Sequence, residues 1–524
     1  MGNRNRVFSS RRRLAVPLAA VLLLLGHRGE PSRSAAAVDT STVSEQVFAV
    51  GFGKIAEVYL QPADFGRLGL DGLKGLSAID PAIRAERAGN TIQLYVSGTQ
   101  VAGYTAPSGS DTAGWAALTT RATERARLHS GALSQAVPER IYQAVFDAVT
   151  ADLDGYSRYT GTQRATSERA QREGYGGIGL SLESAGGRTV IRDVLARGPA
   201  GRAGIRDGDL LLAIDGDLTA RMSDTDMRDR LRGPSGTLLL VTVARDGGPP
   251  RRVPVRRERV IPNTVAMSIA DDVGVLKVDR FNAATATNLR EAVQAVRRSV
   301  GRGLRGYVLD LRGNPGGLLD QAVAVADLFI ARGKIITTEG RHPDSRQRFE
   351  ASPDDIADGL PLVVLVDGRS ASSAEVVAAA LQDSGRAVVV GASSYGKGSV
   401  QTVTRLPNDG ELFLTWSRIY TPAGYTLHRQ GVQPTLCTSR PGQEDPAALL
   451  TDLRDGRVRP AAQFAGWRAR AADDEEALNQ LREACPWKEH EPELDLKVAL
   501  RLLAEPALYQ RASSLASTST VAER

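Results

Sequence analysis

Lys397 stands in YGKGSVQ (395–401), between Gly396 and Gly398, in a chain where only seven of the 66 basic residues are lysine. Arginine in effect never deprotonates, whereas a buried lysine can lose its proton and act as a base. Ser372 lies 25 residues upstream in the small-residue run RSASSAEVV (369–377), and Gln401 lies four residues downstream. A serine with a neutral lysine beside it is a pair for nucleophilic hydrolysis without histidine. Of the five histidines, His27 falls in an N-terminal leader, His129, His342 and His490 in polar surroundings, and only His428 near the end of the apolar core. No G-x-S-x-G elbow occurs, so a Ser-His-Asp triad is not expected.

Each of these residues also has a structural role open to it. Ser372 to Glu375 reads S-x-x-E, a capping box ahead of the helical run VVAAALQ. The same place suits a nucleophile, because it follows the apolar strand LVVLVD, and ligands gather at the carboxyl ends of such strands. A helix N-terminus there offers free N–H groups and a positive dipole end to a developing oxyanion. For Lys397 the alternative is a surface lysine in a turn. To serve as a base its pKa must fall by about three units, on the order of 4 kcal/mol, through burial and its neighbours. GASSYGK (391–397) also matches the G-x-x-x-x-G-K of a phosphate-binding loop. Gly398 stands where that loop needs Ser or Thr, and the β-branched VQTVTRL (400–406) reads as a strand, not as the helix a P-loop opens.

The elements around these residues divide the chain. Arg11, Arg12 and Arg13, the apolar run Leu14 to Leu25 and Ala35 to Ala37 have the order of a secretory signal over 1–37. The protein is therefore expected to be exported, and periplasmic if bacterial. The apolar run is shorter than the roughly 20 residues of a comfortable membrane span. If uncleaved, the leader would instead tether the chain to the outer face of the inner membrane. Residues 38–168 read as mostly helical, with FGKIAEVYL and IYQAVFDAVTADL at helical spacing and a short hairpin inserted at 91–106. A small β-rich unit spans 169–258, with strands GGIGLSLE, RTVIRDVL, LLLAI and TLLLVTVARDG and a polar helix at 224–232. Over 259–440 the apolar strands GVLKVD, GYVLDLR, LVVLVD and AVVVG alternate with helices, a pattern for strands buried on both faces. Residues 441–524 read as an accessory helical tail. The fold class is multidomain α/β.

A 42% hydrophobic, 24% charged composition suits a globular chain with a sizeable core, and the net charge of +6 reflects the arginine preference. The cluster RRVPVRRER (251–259) lacks interleaved aromatics and reads as solvated surface, so no nucleic-acid partner is expected. Cys437 and Cys485, an even pair in an exported chain, are expected to form a disulfide. No cluster of metal ligands occurs, so neither metal nor organic cofactor is expected.

DLRGNPGGLLDQAV (310–323), VLVDGRSASSAEV (364–376) and GKGSVQT (396–402) resemble, in order and spacing, the core motifs of the carboxyl-terminal processing peptidases, or tail-specific proteases. LDGYSRY (153–159) resembles that family's pre-PDZ signature, and the GGIGL…GPAGRAGIRDGDLLLAIDG region its PDZ domain, so the likeness covers about 140–435. It implies Ser372 as nucleophile, Lys397 as general base and Gln401 as the residue that positions the lysine. It further implies an oxyanion hole from the amides of Gly317 and Ser373. SASSA replaces the family's SASAS, which leaves Ser370 and Ser373 as other nucleophile candidates, and spacing to the lysine favours Ser372. The PDZ domain implies partners with free C-terminal tails, received on the backbone of Gly177, Ile178, Gly179 and Leu180. The helical ends offer surfaces for a homo-oligomer. The competing reading, a catalytically silent PDZ scaffold on a peptidase-like core, predicts loss of the serine, lysine or glutamine, and all three are present.

Overall fold

The computed structural model describes residues 40–440, 445–487 and 492–516. The leader at 1–37, His27 and His490 lie outside the described residues. Among the described residues no helix is long and apolar enough to cross a membrane.

The core is a six-stranded sheet in the order Val265–Ala270, Val273–Val278, Gly306–Asp310, Leu362–Val366, Val388–Gly391 and Leu436–Cys437. All neighbours are parallel except the first pair. Side chains alternate across the pleat, so one strand feeds two cores. Leu309, Val364 and Val389 pack under the helices Thr285–Val300, Leu319–Asp327 and Ser373–Asp383. Val308, Val363 and Val388 face Leu453, Val498 and Leu508 on the helices Pro446–Arg454, Pro492–Ala504 and Pro506–Ala516. The C-terminal helices, expected to be an accessory tail, thus form the second covering layer of the sheet. Continuous apolar strands require such a layer, since either face left bare would expose Val and Leu to water.

A second, antiparallel sheet runs Gln347–Glu350, Lys334–Glu339, Glu411–Tyr420 and Ser399–Arg405, with Arg158–Thr160 joined to Glu411–Phe413. Lys397 precedes its Ser399–Arg405 edge strand. The N-terminal helices Thr40–Val58, Phe65–Lys74, Thr112–Arg127 and Pro138–Ala151 share a core with Leu406, Leu412 and Leu414 of this sheet. The expected hairpin at 91–106 is a three-stranded meander, because Ile83–Ala88 pairs with Thr91–Val96. That strand reads IRAERA, a helix-like composition, and cross-strand pairing with burial of Ile83 and Ala85 overrides the local preference.

The β-rich unit is a sheet in the order Arg251–Arg256, Leu238–Ala244, Leu210–Ile214, Arg188–Arg192 and Ser181–Ala185. Its helix Asp224–Leu231 starts at a reciprocal cap between Ser223 and Asp226. The expected strand at 176–183 is broken. Tyr175–Gly177 pairs with Glu258–Val260, the chain turns at Gly179 (φ +78°), and the edge strand begins at Ser181.

Cys437 and Cys485 are joined in a disulfide across 48 residues. Closing a loop of that length contributes about 3–4 kcal/mol in the chain-entropy account. The Ser393 hydroxyl donates to the Cys485 carbonyl. The bridge therefore borders the segment that leads to Lys397.

Candidate active site

Ser372 lies where the buried strand Leu362–Val366 turns into the helix Ser373–Asp383. Its backbone sits at φ +55°, ψ −115°, a region that non-glycine residues rarely occupy. Strain of this kind persists only where the surroundings over-determine it, and here they do. Ser370 Oγ donates to the Leu311 carbonyl at 2.9 Å and accepts from the Asp367 amide at 2.9 Å. The Ala371 amide donates to the Asn314 carbonyl at 2.9 Å. Ser373 Oγ donates to the Gly317 carbonyl at 2.9 Å. The hydroxyls of Ser370 and Ser373 thus bind structural carbonyls, while Ser372 and Ser373 both line an open cavity.

The Asn314–Gly317 turn closes against this point. Asn314 is fully buried; its amide donates to the Val278 carbonyl at 2.7 Å and its Oδ1 accepts from the Gly316 amide at 2.8 Å. A Cβ on Gly316 (φ +98°) would lie 2.8 Å from Ala371 O and 2.9 Å from Ser372 Cβ. A Cβ on Gly317 would lie 2.0 Å from Phe281 O. The turn is held by bonds from Phe281 N–H to Gly316 O and from Leu318 N–H to Phe281 O, which leave the Gly317 amide outside that ladder. The Ser373 amide begins a helix and has no intrahelical acceptor. Gly316→Ala is expected to lower kcat/KM by about 100-fold or more, because a shift near 1 Å at reacting groups has that effect.

Lys397 sits in the loop between Val388–Gly391 and Ser399–Arg405. Its flanking glycines touch the Leu427–Arg429 segment. A Cβ on Gly396 (φ +92°) would lie 2.7 Å from the Arg429 carbonyl, and one on Gly398 1.9 Å from the His428 amide. The ammonium nitrogen lies 5.4 Å from the centre of the Tyr156 ring. Burial above all, then the Arg158 charge, holds the lysine pKa below its ordinary value, against the opposing pull of Glu375 and Asp154. Tyr156 and Arg158 come from LDGYSRY, folded by Asp154, whose Oδ1 accepts from the Tyr156 and Ser157 amides at 2.7 Å each.

One buried carboxylate joins the two halves. Glu375 has no exposed surface. It accepts from the Ser372 amide at 2.7 Å, the Gly396 amide at 2.7 Å, the Lys397 amide at 2.9 Å and the Ser394 hydroxyl at 2.5 Å. Burial pushes its pKa up and these donors oppose that rise. The sequence showed Glu375 only as the last letter of a capping box.

Ser372, Ser373, Lys397, Gln401, Gly316 and Gly317 all line one cavity of about 530 Å³. A register shift between Val400 and Gln401 against the partner strand brings the glutamine into it. Its side-chain amide donates to Ser399 Oγ at 3.0 Å and Thr415 Oγ1 at 3.4 Å. After Gly398 the chain enters a strand, which leaves no helix N-terminus for nucleotide phosphates. His428 Nδ1 lies 2.8 Å from Arg418 Nη1. Burial, then the Arg418 charge, lowers the His428 pKa to about 4, and the ring is outside the cavity lining.

A second cavity of about 250 Å³ opens between the edge strand Ser181–Ala185 and the helix Asp224–Leu231. Ile178, Gly179, Leu180 and Leu231 line it. Gly177 does not, because its backbone is paired with Glu258. Arg228 and Arg232, which the sequence did not single out, also line the groove, and Arg232 lies 4.4 Å over the Tyr175 ring.

Residues 272–437 match the model of peptidase family S41, and residues 190–245 match a PDZ domain model. The chain is 34% identical to the carboxy-terminal-processing protease of Bartonella bacilliformis over 61% of its own length and 75% of that protein's. It is 30% identical to the carboxy-terminal processing protease CtpA of Bacillus subtilis, over 55% and 61% of the two lengths. Among solved structures it is similar to the photosystem II D1 C-terminal processing protease, at 26% identity and a TM-score of 0.35 over 70% of this chain and 92% of that one. Fold and site together define a PDZ-bearing serine peptidase with an α/β core. The chain belongs to the carboxy-terminal processing proteases of family S41.

Proposed function

We propose that the protein is an exported endopeptidase that cuts proteins near their C-termini through a Ser372–Lys397 dyad. The observation that carries this reading is Glu375, a single buried carboxylate bonded to the amides of both Ser372 and Lys397, which line one cavity. Neutral Lys397 takes the Ser372 proton as Oγ attacks the scissile carbonyl, and the Gly317 and Ser373 amides receive the oxyanion. Lys397 then protonates the leaving amine. Water deacylates the acyl-enzyme with the lysine again as base. Gln401 acts from the cavity wall, through Ser399 and Thr415, to keep the strand that follows Lys397 in register.

The substrate tail joins the Ser181–Ala185 edge strand, with its carboxylate at Ile178, Gly179 and Leu180 and near Arg228 and Arg232. The basic, apolar and small-residue order of 1–37 supports export, as does the disulfide.

The test uses an unfolded protein substrate with a free or an amidated C-terminus. Wild type should cleave the free-tailed form at least about tenfold faster by kcat/KM, since a charged hydrogen-bond acceptor is lost on amidation. Ser372→Ala should lose about 10⁴-fold or more on both. Undiminished cleavage by that variant would remove the dyad, and no cleavage of either form by wild type would favour the silent scaffold. Equal cleavage of the two tails would remove the carboxylate-reading role of the PDZ groove.

A further inference from the structure

Four arginines line the catalytic cavity: Arg158, Arg164, Arg172 and Arg280. Three of them are paired with protein carboxylates. Arg158 and Arg164 pair with Glu168 at 2.9 and 2.8 Å, and Arg172 pairs with Glu411 at 2.9 Å. Arg280 has a different environment. Its Nη1 donates to Oε1 of Gln171, a neutral acceptor, and among the described residues no carboxylate pairs with it.

Its place in the chain gives that charge a purpose. Arg280 directly precedes Phe281, whose amide donates to Gly316 O and whose carbonyl accepts from the Leu318 amide. Thr285 Oγ1 also donates to the Arg280 carbonyl at 3.3 Å, which steadies the backbone. The guanidinium is therefore carried by the same short segment that holds the oxyanion turn, and it lines the cavity with Ser372. A guanidinium has five N–H donors in a planar fork that matches a carboxylate, and Gln171 engages one end of it.

We propose that Arg280 is a specificity residue that receives a carboxylate of the substrate close to the scissile bond. The proposal rests on the reading of Ser372 as nucleophile. The carboxylate has two possible sources, an acidic side chain near the bond or the terminal carboxylate of a short tail. Both present the same planar anion.

The experiment measures kcat/KM for peptide pairs that differ only by Glu or Gln, one position at a time on either side of the bond. Wild type, Arg280→Gln, Arg280→Lys and Ser372→Ala are compared. At one position wild type should prefer the Glu peptide by about tenfold, as expected when a charged hydrogen-bonded pair is lost. Arg280→Gln should bring that ratio to about one. Arg280→Lys, which keeps the charge and loses the fork, should fall between them and also shows that the site tolerates substitution.

A second arm shortens the tail stepwise with free or amidated ends. A free-end preference confined to one tail length and lost in Arg280→Gln assigns the carboxylate to the terminus. A preference at every length that survives Arg280→Gln belongs to the PDZ groove. A ratio near one in wild type for all Glu pairs and all tail lengths overturns the proposal, as does an unchanged ratio in Arg280→Gln. Cleavage that persists in Ser372→Ala overturns the nucleophile reading instead, so the two failures are distinguishable.

Discussion

Lys397→Arg is expected to abolish cleavage, with kcat/KM lower by about 10⁴-fold, although the substitution keeps the charge. Arginine cannot give up its proton at any working pH, so it cannot accept one from Ser372. Lys397→Met should be equally inactive, yet the two variants should differ in stability. Burial and the Arg158 charge disfavour the ammonium form of Lys397 in the folded chain. Between this lowered pKa and the ordinary lysine value the unfolded chain binds more protons than the folded one. Stability therefore rises with pH across that window, and the penalty of the buried charge is at its full size below it. Methionine removes the charge at similar volume, so Lys397→Met should melt above wild type at neutral pH. Lys397→Arg should melt below it. In wild type, kcat/KM should climb with pH as Lys397 deprotonates, a profile that neither variant shows. Differential scanning fluorimetry with a peptide pH series tests all of this, and an active Lys397→Met would end the assignment of Lys397 as base.

Glu375→Gln is expected to lower kcat by about 100-fold or more while KM changes little. The carboxylate receives three amides and one hydroxyl. A carboxamide of the same shape has only one acceptor oxygen, and its NH₂ faces other donors. The Ser372 and Lys397 loops would then part, and misplacement near 1 Å has an effect of that size. Glu375→Ala leaves all four donors unpaired in the interior and should destabilise the fold by about 3–5 kcal/mol. A positioning role predicts that the kcat loss in Glu375→Gln appears without loss of tail binding in the PDZ groove. Normal kcat in a folded Glu375→Gln protein would show that the serine and lysine are placed without it.

Much of the site was legible because its chemistry is written in short segments. The Asn314–Gly317 turn, the serine before a helix and the lysine between glycines each need particular residues at adjacent positions. The strand after Gly398 could be read from its β-branched residues, which separated the lysine from a phosphate loop. What escaped the sequence depends on partners far along the chain. Glu375 is bonded to residues 19 to 22 positions away, and Arg280 differs from its neighbours only by which carboxylates lie nearby. Gln401 turns into the cavity through a register shift set by the opposite strand. Gly177, placed by the sequence in the tail groove, is taken out of it by pairing with Glu258, 81 residues on.

By itself the sequence determined which groups can react and which strands carry them, because reactivity and hydrophobic period are local properties of the chain. Only the tertiary structure decided how these groups meet. It folds the Ser372 helix and the Lys397 loop onto one carboxylate, covers the second face of the sheet with the C-terminal helices, and leaves Arg280 facing the cavity with no acidic partner among the described residues. These are results of long-range packing, where the energy of burying a charge or an apolar face depends on what distant segments bring to it.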